Sequence, residues 1–68
     1  MENAMDFISA QLGKEVVVHT NKLETYRGIL LSFDVYANIS LENVSVNEKD
    51  RIKYSLINGI QVTHIVFE

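Results

Sequence analysis

Three closely spaced side chains, Asp34, Tyr36 and Asn38, carry groups suited to molecular recognition. The ionised acid accepts hydrogen bonds, the tyrosine offers a π-face, and the amide both donates and accepts. That set suits a flat, uncharged, hydrogen-bonding group such as a nucleobase. It does not suit bond-making, because no nucleophile stands beside a base. Elsewhere the chain lacks paired carboxylates at useful spacing, a Ser–His–Asp arrangement and a phosphate-cradling glycine loop. Its glycines, Gly13, Gly28 and Gly59, read as a helix cap, a bend and a turn. There is no cysteine, and His19 and His64 are far apart with no partner at ligand spacing. Neither a disulfide nor a zinc site is therefore expected. The expectation is a binding protein and not an enzyme, with no metal and no cofactor.

These side chains sit between two apolar segments, 29–33 and 39–44, which read as strands joined by the tight connection 34–38. Upstream, residues 3–12 read as a short helix, with Asn3 as N-cap, Asp6 in the first turn and Gly13 ending it. Ala4, Met5, Phe7, Ile8 and Leu12 give it one apolar face. So short a helix is marginal in water and must pack on a sheet. Residues 15–20 are β-branched and form strand one, followed by an Asn21-Lys22 turn. Strand two runs from about 23 to 33, and Gly28 in its interior fits a sharp bend. The run Ile29, Leu30, Leu31 fits a bend that buries both faces. Strand three, about 36–44, points Ala37, Ile39 and Leu41 one way and Asn38, Ser40 and Glu42 the other. After a polar loop, 46–50, strand four spans 51–57 with Ile52, Tyr54 and Leu56 on one face. Asn58-Gly59 is the strongest turn dipeptide, and strand five spans 60–67. The fold class is mainly β: an N-terminal helix, 3–12, then a five-stranded, strongly bent antiparallel small barrel, 15–66, in a single domain over 1–68.

A chain of 68 residues buries only ~60% of its unfolded surface. Folds of this size usually gain stability from disulfides, a metal or oligomerisation, and here only oligomerisation is left. Strands four and five are too apolar for a lone subunit to bury, and uncovered edges are an aggregation hazard. Pairing strand four of one subunit with strand five of the next removes both problems, and a head-to-tail contact of that kind closes into a ring if the rotation allows. The formal charge of −3 counts against binding by phosphate neutralisation but leaves base stacking open. No apolar run approaches the ~20 residues that span a bilayer, and no basic segment precedes an apolar one as in a leader. No membrane partner is expected. The cysteine-free composition fits a reducing compartment, so the expected location is cytoplasmic.

Gly28, Leu30, Phe33, Asp34, Tyr36, Asn38, Ile39 and Leu41 together resemble the first Sm motif of the Sm/LSm family. Residues 56–65, with Gly59 and an alternating apolar frame, resemble the second, except that Asn58 stands where the family has arginine. With the N-terminal helix, the resemblance spans nearly the whole chain. It implies an Sm-like fold, a homo-oligomeric ring of six or seven subunits, and single-stranded uridine-rich RNA bound at the inner rim. Such a ring acts as an RNA chaperone or a ribonucleoprotein core. The implied RNA-binding residues are Asp34, Tyr36, Asn38, Asn58 and Gly59.

Each residue also has a plainer reading. Asn38 either contacts the base, as its family counterpart does, or only satisfies backbone groups in the turn. Tyr36 either stacks on the base or is a half-buried aromatic at a strand end. Asp34 is expected to hold the loop and orient Asn38 by accepting hydrogen bonds. Gly59 is a backbone requirement. Asn58 neither stacks as a guanidinium plane does nor carries charge, so the pocket is weaker, altered in specificity or vestigial. The alternative function is a ring-forming structural or protein-interaction module without RNA binding, and a monomeric OB- or SH3-like barrel is a third. His19, His64, Lys22, Arg27, Lys49 and Arg51 read as isolated surface or locally satisfied groups.

Overall fold

The computed structural model describes residues 4–68, with side chains from residue 6 onward. The order of elements is helix α1 (Ala4–Ser9), strands β1 (Glu15–Thr20), β2 (Thr25–Phe33), β3 (Ile39–Val46) and β4 (Asp50–Ile57), a 3-10 turn (Gly59–Gln61), and β5 (Val62–Phe67). The expected N-cap, Asn3, lies outside the described residues. The helix is shorter than 3–12. After Ser9 the backbone tightens to i→i−3 hydrogen bonds, Gln11 N to Ile8 O at 2.9 Å and Leu12 N to Ser9 O at 3.2 Å. Gly13 then turns left-handed at φ 81°, and its N–H donates to Leu30 O at 2.8 Å, fastening the segment to β2. Of the apolar residues assigned to the helix face, Ile8 packs on the core, whereas Phe7 and Leu12 stay about half exposed. Phe7 meets the Phe67 ring edge-on, with centroids 5.2 Å apart.

All strand pairings are antiparallel, in the order β4-β3-β2-β1-β5, so β4 and β5 are the two edges of a bent sheet. Its concave side encloses Val16, Val18, Leu30, Ile39, Leu41, Val44 and Ile57. The bend comes from two register slips between β2 and β3. Arg27 pairs with Ser45 but Ile29 with Glu42, so β3 carries one extra residue there, beside Asn43 at φ 53°. Gly28 lies at that point: a Cβ on it would stand 2.9 Å from Glu42 O and 3.2 Å from Val44 Cγ2. The glycine lets β3 pass close as the sheet turns, as its place in the strand predicts. The second slip, between Leu30 and Ser32, makes Leu31 the extra residue on β2. Leu31 is consequently half exposed, and the expectation that the run 29–31 is buried on both faces is corrected.

Strand two begins at Thr25 and not near 23, because Leu23 itself takes the left-handed conformation, φ 62°, in the turn. Buried Thr20 organises that turn through Oγ1, which accepts from Lys22 N and Glu24 N. Between β3 and β4, Asn47 and Glu48 both have positive φ, and Lys49 N donates to Val46 O at 3.0 Å. Asn47 Oδ1 accepts from Thr25 N at 2.8 Å, tying this hairpin to the start of β2. In β4, Tyr54 is 56% and Leu56 76% exposed, with Ile52 at 42%. The apolar face expected on strand four exists, but the described residues leave it largely uncovered.

Candidate functional site

Strand three starts at Ile39, not near Tyr36, because Asp34 organises residues 34–38 as a loop. Asp34 Oδ1 accepts from Tyr36 N at 2.8 Å and from Asn38 N at 3.1 Å, while Oδ2 accepts from Asn38 Nδ2 at 3.0 Å. Asp34 N donates to Asn38 O at 3.2 Å, and Ala37 N to Asp34 O at 3.0 Å. Donation from the Asn38 side-chain amide holds the Asp34 carboxyl below the usual carboxylate range; desolvation opposes it, and the backbone N–H groups of Asn38 and Tyr36 add to the lowering. Ala37 accepts a left-handed backbone, φ 62°, to close this arrangement, a conformation uncommon outside glycine. The expected part for Asp34, holding the loop and orienting Asn38, matches this geometry.

Asn38 links the loop to the segment after β4. Its Oδ1 accepts from Gly59 N at 2.7 Å. The amide is thus fixed at both ends, by Asp34 Oδ2 and by Gly59 N, and keeps one N–H and one oxygen lone pair for another partner. Gly59 opens the 3-10 turn without a positive φ, so its need is space. A Cβ there would fall 1.7 Å from Tyr36 O and 2.8 Å from Tyr36 C, both backbone atoms. Asn58 and Gly59 do not form the two-residue hairpin turn their dipeptide predicts. Asn58 is extended, φ −71° and ψ 131°, and caps the 3-10 turn, with Oδ1 accepting from Ile60 N at 3.0 Å.

Asp34, Asn38 and Gly59 are therefore joined by hydrogen bonds, and the Tyr36 carbonyl abuts Gly59. The Tyr36 side chain is 77% exposed, which corrects the half-buried reading. Asn58 stands next to this cluster with its own oxygen engaged in its own turn. Beneath the loop, between α1 and the sheet, is a cavity of about 230 Å³ lined by Ile8, Phe33, Val35, Ala37, Ile65 and Phe67 among others. It is apolar apart from Asp34, and Tyr36 and Asn38 do not line it.

Several groups escaped the sequence reading. Arg27 is not an isolated charge: it is paired with Glu15 at 3.2 Å and with Glu68, bracing β1, β2 and the chain's end together. His19 and His64 are register partners across β1 and β5, and their rings stack 4.2 Å apart at 14°. Thr63 Oγ1 donates to His19 O at 3.0 Å alongside them. Aligning the two strands by their apolar residues would have placed the histidines opposite each other. Among the described residues, no group of three or more His, Cys, Asp or Glu could hold a metal ion, and no helix is long and apolar enough to cross a membrane.

Comparison with known proteins agrees with the motifs. A solved Sm protein from Pyrococcus abyssii, in complex with a uridine heptamer, superposes with a TM-score of 0.87 at 28% identity, covering 96% of this chain and 97% of that one. A heptameric archaeal Sm protein superposes with a TM-score of 0.85 at 26% identity, covering 91% and 96%. The probable U6 snRNA-associated Sm-like protein LSm2 of Dictyostelium discoideum is 34% identical over 50 residues, 74% of this chain and 43% of that relative's length. The profile of the LSM domain matches residues 6–67, nearly the full length, and the chain belongs to that family.

Proposed function

We propose that the chain assembles into a homo-oligomeric ring of six or seven subunits that binds single-stranded uridine-rich RNA, as an RNA chaperone or a ribonucleoprotein core. The observation that carries this is the fixed amide of Asn38. Asp34 Oδ2 and Gly59 N hold it, and its remaining donor and acceptor are complementary to one edge of uracil. Two residues away the exposed Tyr36 ring offers a face on which the base stacks. Asp34 and Gly59 serve by position, and Asn58 borders the pocket without the charge of the family's arginine. The Pyrococcus abyssii protein in complex with a uridine heptamer supports the ligand class, and the heptameric archaeal protein supports the ring. The LSm2 relative, named for its association with U6 snRNA, supports an RNA partner.

The edges of the sheet support assembly. Among the described residues, β4 and β5 each have one side without a neighbouring strand, and β4 adds the exposed Tyr54 and Leu56. Pairing β4 of one subunit with β5 of the next satisfies both edges and covers these side chains. Repetition of one weak base site around the ring then raises the affinity for a strand that threads several of them. No catalytic step is assigned, and the cytoplasm is the compartment proposed for a cysteine-free ring of this kind.

A ring-forming scaffold without RNA binding is the second reading. It is favoured by Asn58, whose oxygen is engaged by Ile60 N, and by the net charge of −3. Tyr36→Ala separates the two, because the exposed ring supports no part of the core. With stacking worth ~1–3 kcal/mol per base, oligo-U affinity falls roughly 5- to 150-fold per engaged site while assembly is unchanged. Unaltered oligo-U binding by that variant, or none by the parent ring, sinks the RNA reading.

A further inference from the structure

We propose that Asn58 is a site of spontaneous deamidation whose rate is set by Asn38, because the hydrogen bond from Gly59 N–H to Asn38 Oδ1 restrains the nitrogen that would attack the Asn58 side chain. In this reaction the Gly59 nitrogen gives up its proton to water or hydroxide and bonds to Asn58 Cγ. The Cγ–Nδ2 bond breaks as Nδ2 takes a proton from water, and ammonia leaves. One water then opens the resulting succinimide at either carbonyl, giving an aspartyl or isoaspartyl residue at position 58. No oxidant, metal or enzyme is needed.

Three features of the fold bear on it. First, the Asn-Gly pair is fixed in place, since the Tyr36 carbonyl 1.7 Å from a Cβ on Gly59 excludes any side chain that would hinder the attack. Second, the electrophile is activated. Ile60 N–H donates to Asn58 Oδ1 at 3.0 Å, polarising the side-chain carbonyl and standing where the negative oxygen of the tetrahedral intermediate develops. Third, the nucleophile is quenched. Its N–H is engaged at 2.7 Å by Asn38 Oδ1, which Asp34 Oδ2 steadies in turn through Asn38 Nδ2 at 3.0 Å, so the proton is shielded from the base that must remove it. The extended ψ of Asn58, 131°, keeps the resting geometry short of ring closure. Asn38 is therefore the restraint on the nucleophile: when its amide lets go, the Gly59 nitrogen is free, and rotation about the Asn58 ψ brings it to the activated carbonyl. Conversion adds one carboxylate per subunit beside the proposed base pocket. The chemistry itself needs no RNA, and its readout is separate from any oligonucleotide assay.

The test incubates the full-length protein at mildly alkaline pH, native and in urea, and follows each asparagine by peptide mapping with mass spectrometry and isoaspartate detection. The native chain is expected to convert Asn58 more slowly than the unfolded chain. Asn38→Ala raises the native rate roughly fivefold, the population change that follows from losing one hydrogen bond of ordinary net strength. Asn21, Asn43 and Asn47, each followed by a residue with a side chain, keep their rates. Asp34→Asn leaves Asn38 Oδ1 in place and gives a smaller increase, and Gly59 amide exchange rises in proportion to Asn58 conversion in both variants. Equal rates in native and unfolded wild type overturn the proposal. So does a folded Asn38→Ala with unchanged Asn58 conversion. If that variant does not fold, Asp34→Asn decides: exchange at Gly59 that rises without faster conversion overturns it equally.

Discussion

Replacing Gly59 by alanine tests how the two loops at the site are held together. The new Cβ would lie 1.7 Å from Tyr36 O, 2.8 Å from Tyr36 C and 2.9 Å from Ala37 C. All three are backbone atoms in a loop that Asp34 already fixes, so no side-chain rotation relieves the overlap. The 59–61 turn must move away from residues 34–38, and the 2.7 Å bond between Gly59 N and Asn38 Oδ1 is lost. Overpacking of this kind costs about 1–3 kcal/mol. The lost hydrogen bond adds about 1 kcal/mol. Together they remove about 2–4 kcal/mol, a large fraction of the ~5–15 kcal/mol that stabilises a domain. For a chain this short the melting temperature then falls by roughly 10–20 °C or more. Thermal unfolding followed by circular dichroism, with amide exchange at Asn38 and position 59, measures both the size and the place of the effect. A melting temperature within about 3 °C of the parent's would refute the close packing of the two loops.

Gly28→Ala drives a Cβ to 2.9 Å from Glu42 O and is expected to cost about 1–3 kcal/mol in denaturant unfolding, with loss of the β2–β3 bend; unchanged stability contradicts the stated reason for that glycine. Asp34 has a folded pKa below its ordinary value, so its contribution is fully present above the unfolded value of about 3.9 and disappears as pH falls through the lower folded one. NMR titration should therefore find the Asn38 side-chain amide unmoved through the ordinary aspartate range and shifting only below it; a shift centred on the ordinary value contradicts the hydrogen-bond account. Leu56→Glu places a charge on the exposed face of β4, where the isolated subunit loses no core contact. Light scattering should report loss of the ring toward the 7.8 kDa subunit, with the sheet signal retained, whereas intact assembly argues against edge pairing through β4.

The parts of the fold legible in the sequence are those written in local periodicity. The β-branched run of β1 has the predicted bounds, 15–20, because a central strand buried among valines needs no information from elsewhere. The bend at Gly28 was readable for a similar reason: glycine inside a strand is unfavourable unless backbone must come close. What failed depends on contacts through space. The start of β3 moved because one carboxylate, Asp34, gathers three donors and turns residues 34–38 into a loop. The helix face was overestimated because Phe7 and Leu12 have only part of a surface to cover them in one subunit. The pairings of Arg27 with Glu15 and Glu68, and of His19 with His64, join residues far apart in sequence through the register of β1 with its neighbours. At the site, residue types pointed to Asp34, Tyr36 and Asn38 but not to the Asn38–Gly59 bond, which couples the two motifs and makes Asn38→Ala a structural change as well as a test of base contact.

The most direct test of the central claim is binding of short oligo-U against oligo-A to the parent protein at low and moderate salt, with assembly measured in the same sample. Recognition through Tyr36 and Asn38 predicts that a ring binds oligo-U more tightly than oligo-A and keeps that preference as salt rises, because stacking and amide contacts release few counterions. An intact ring that binds neither oligonucleotide, or binds both alike and releases both with salt, contradicts it.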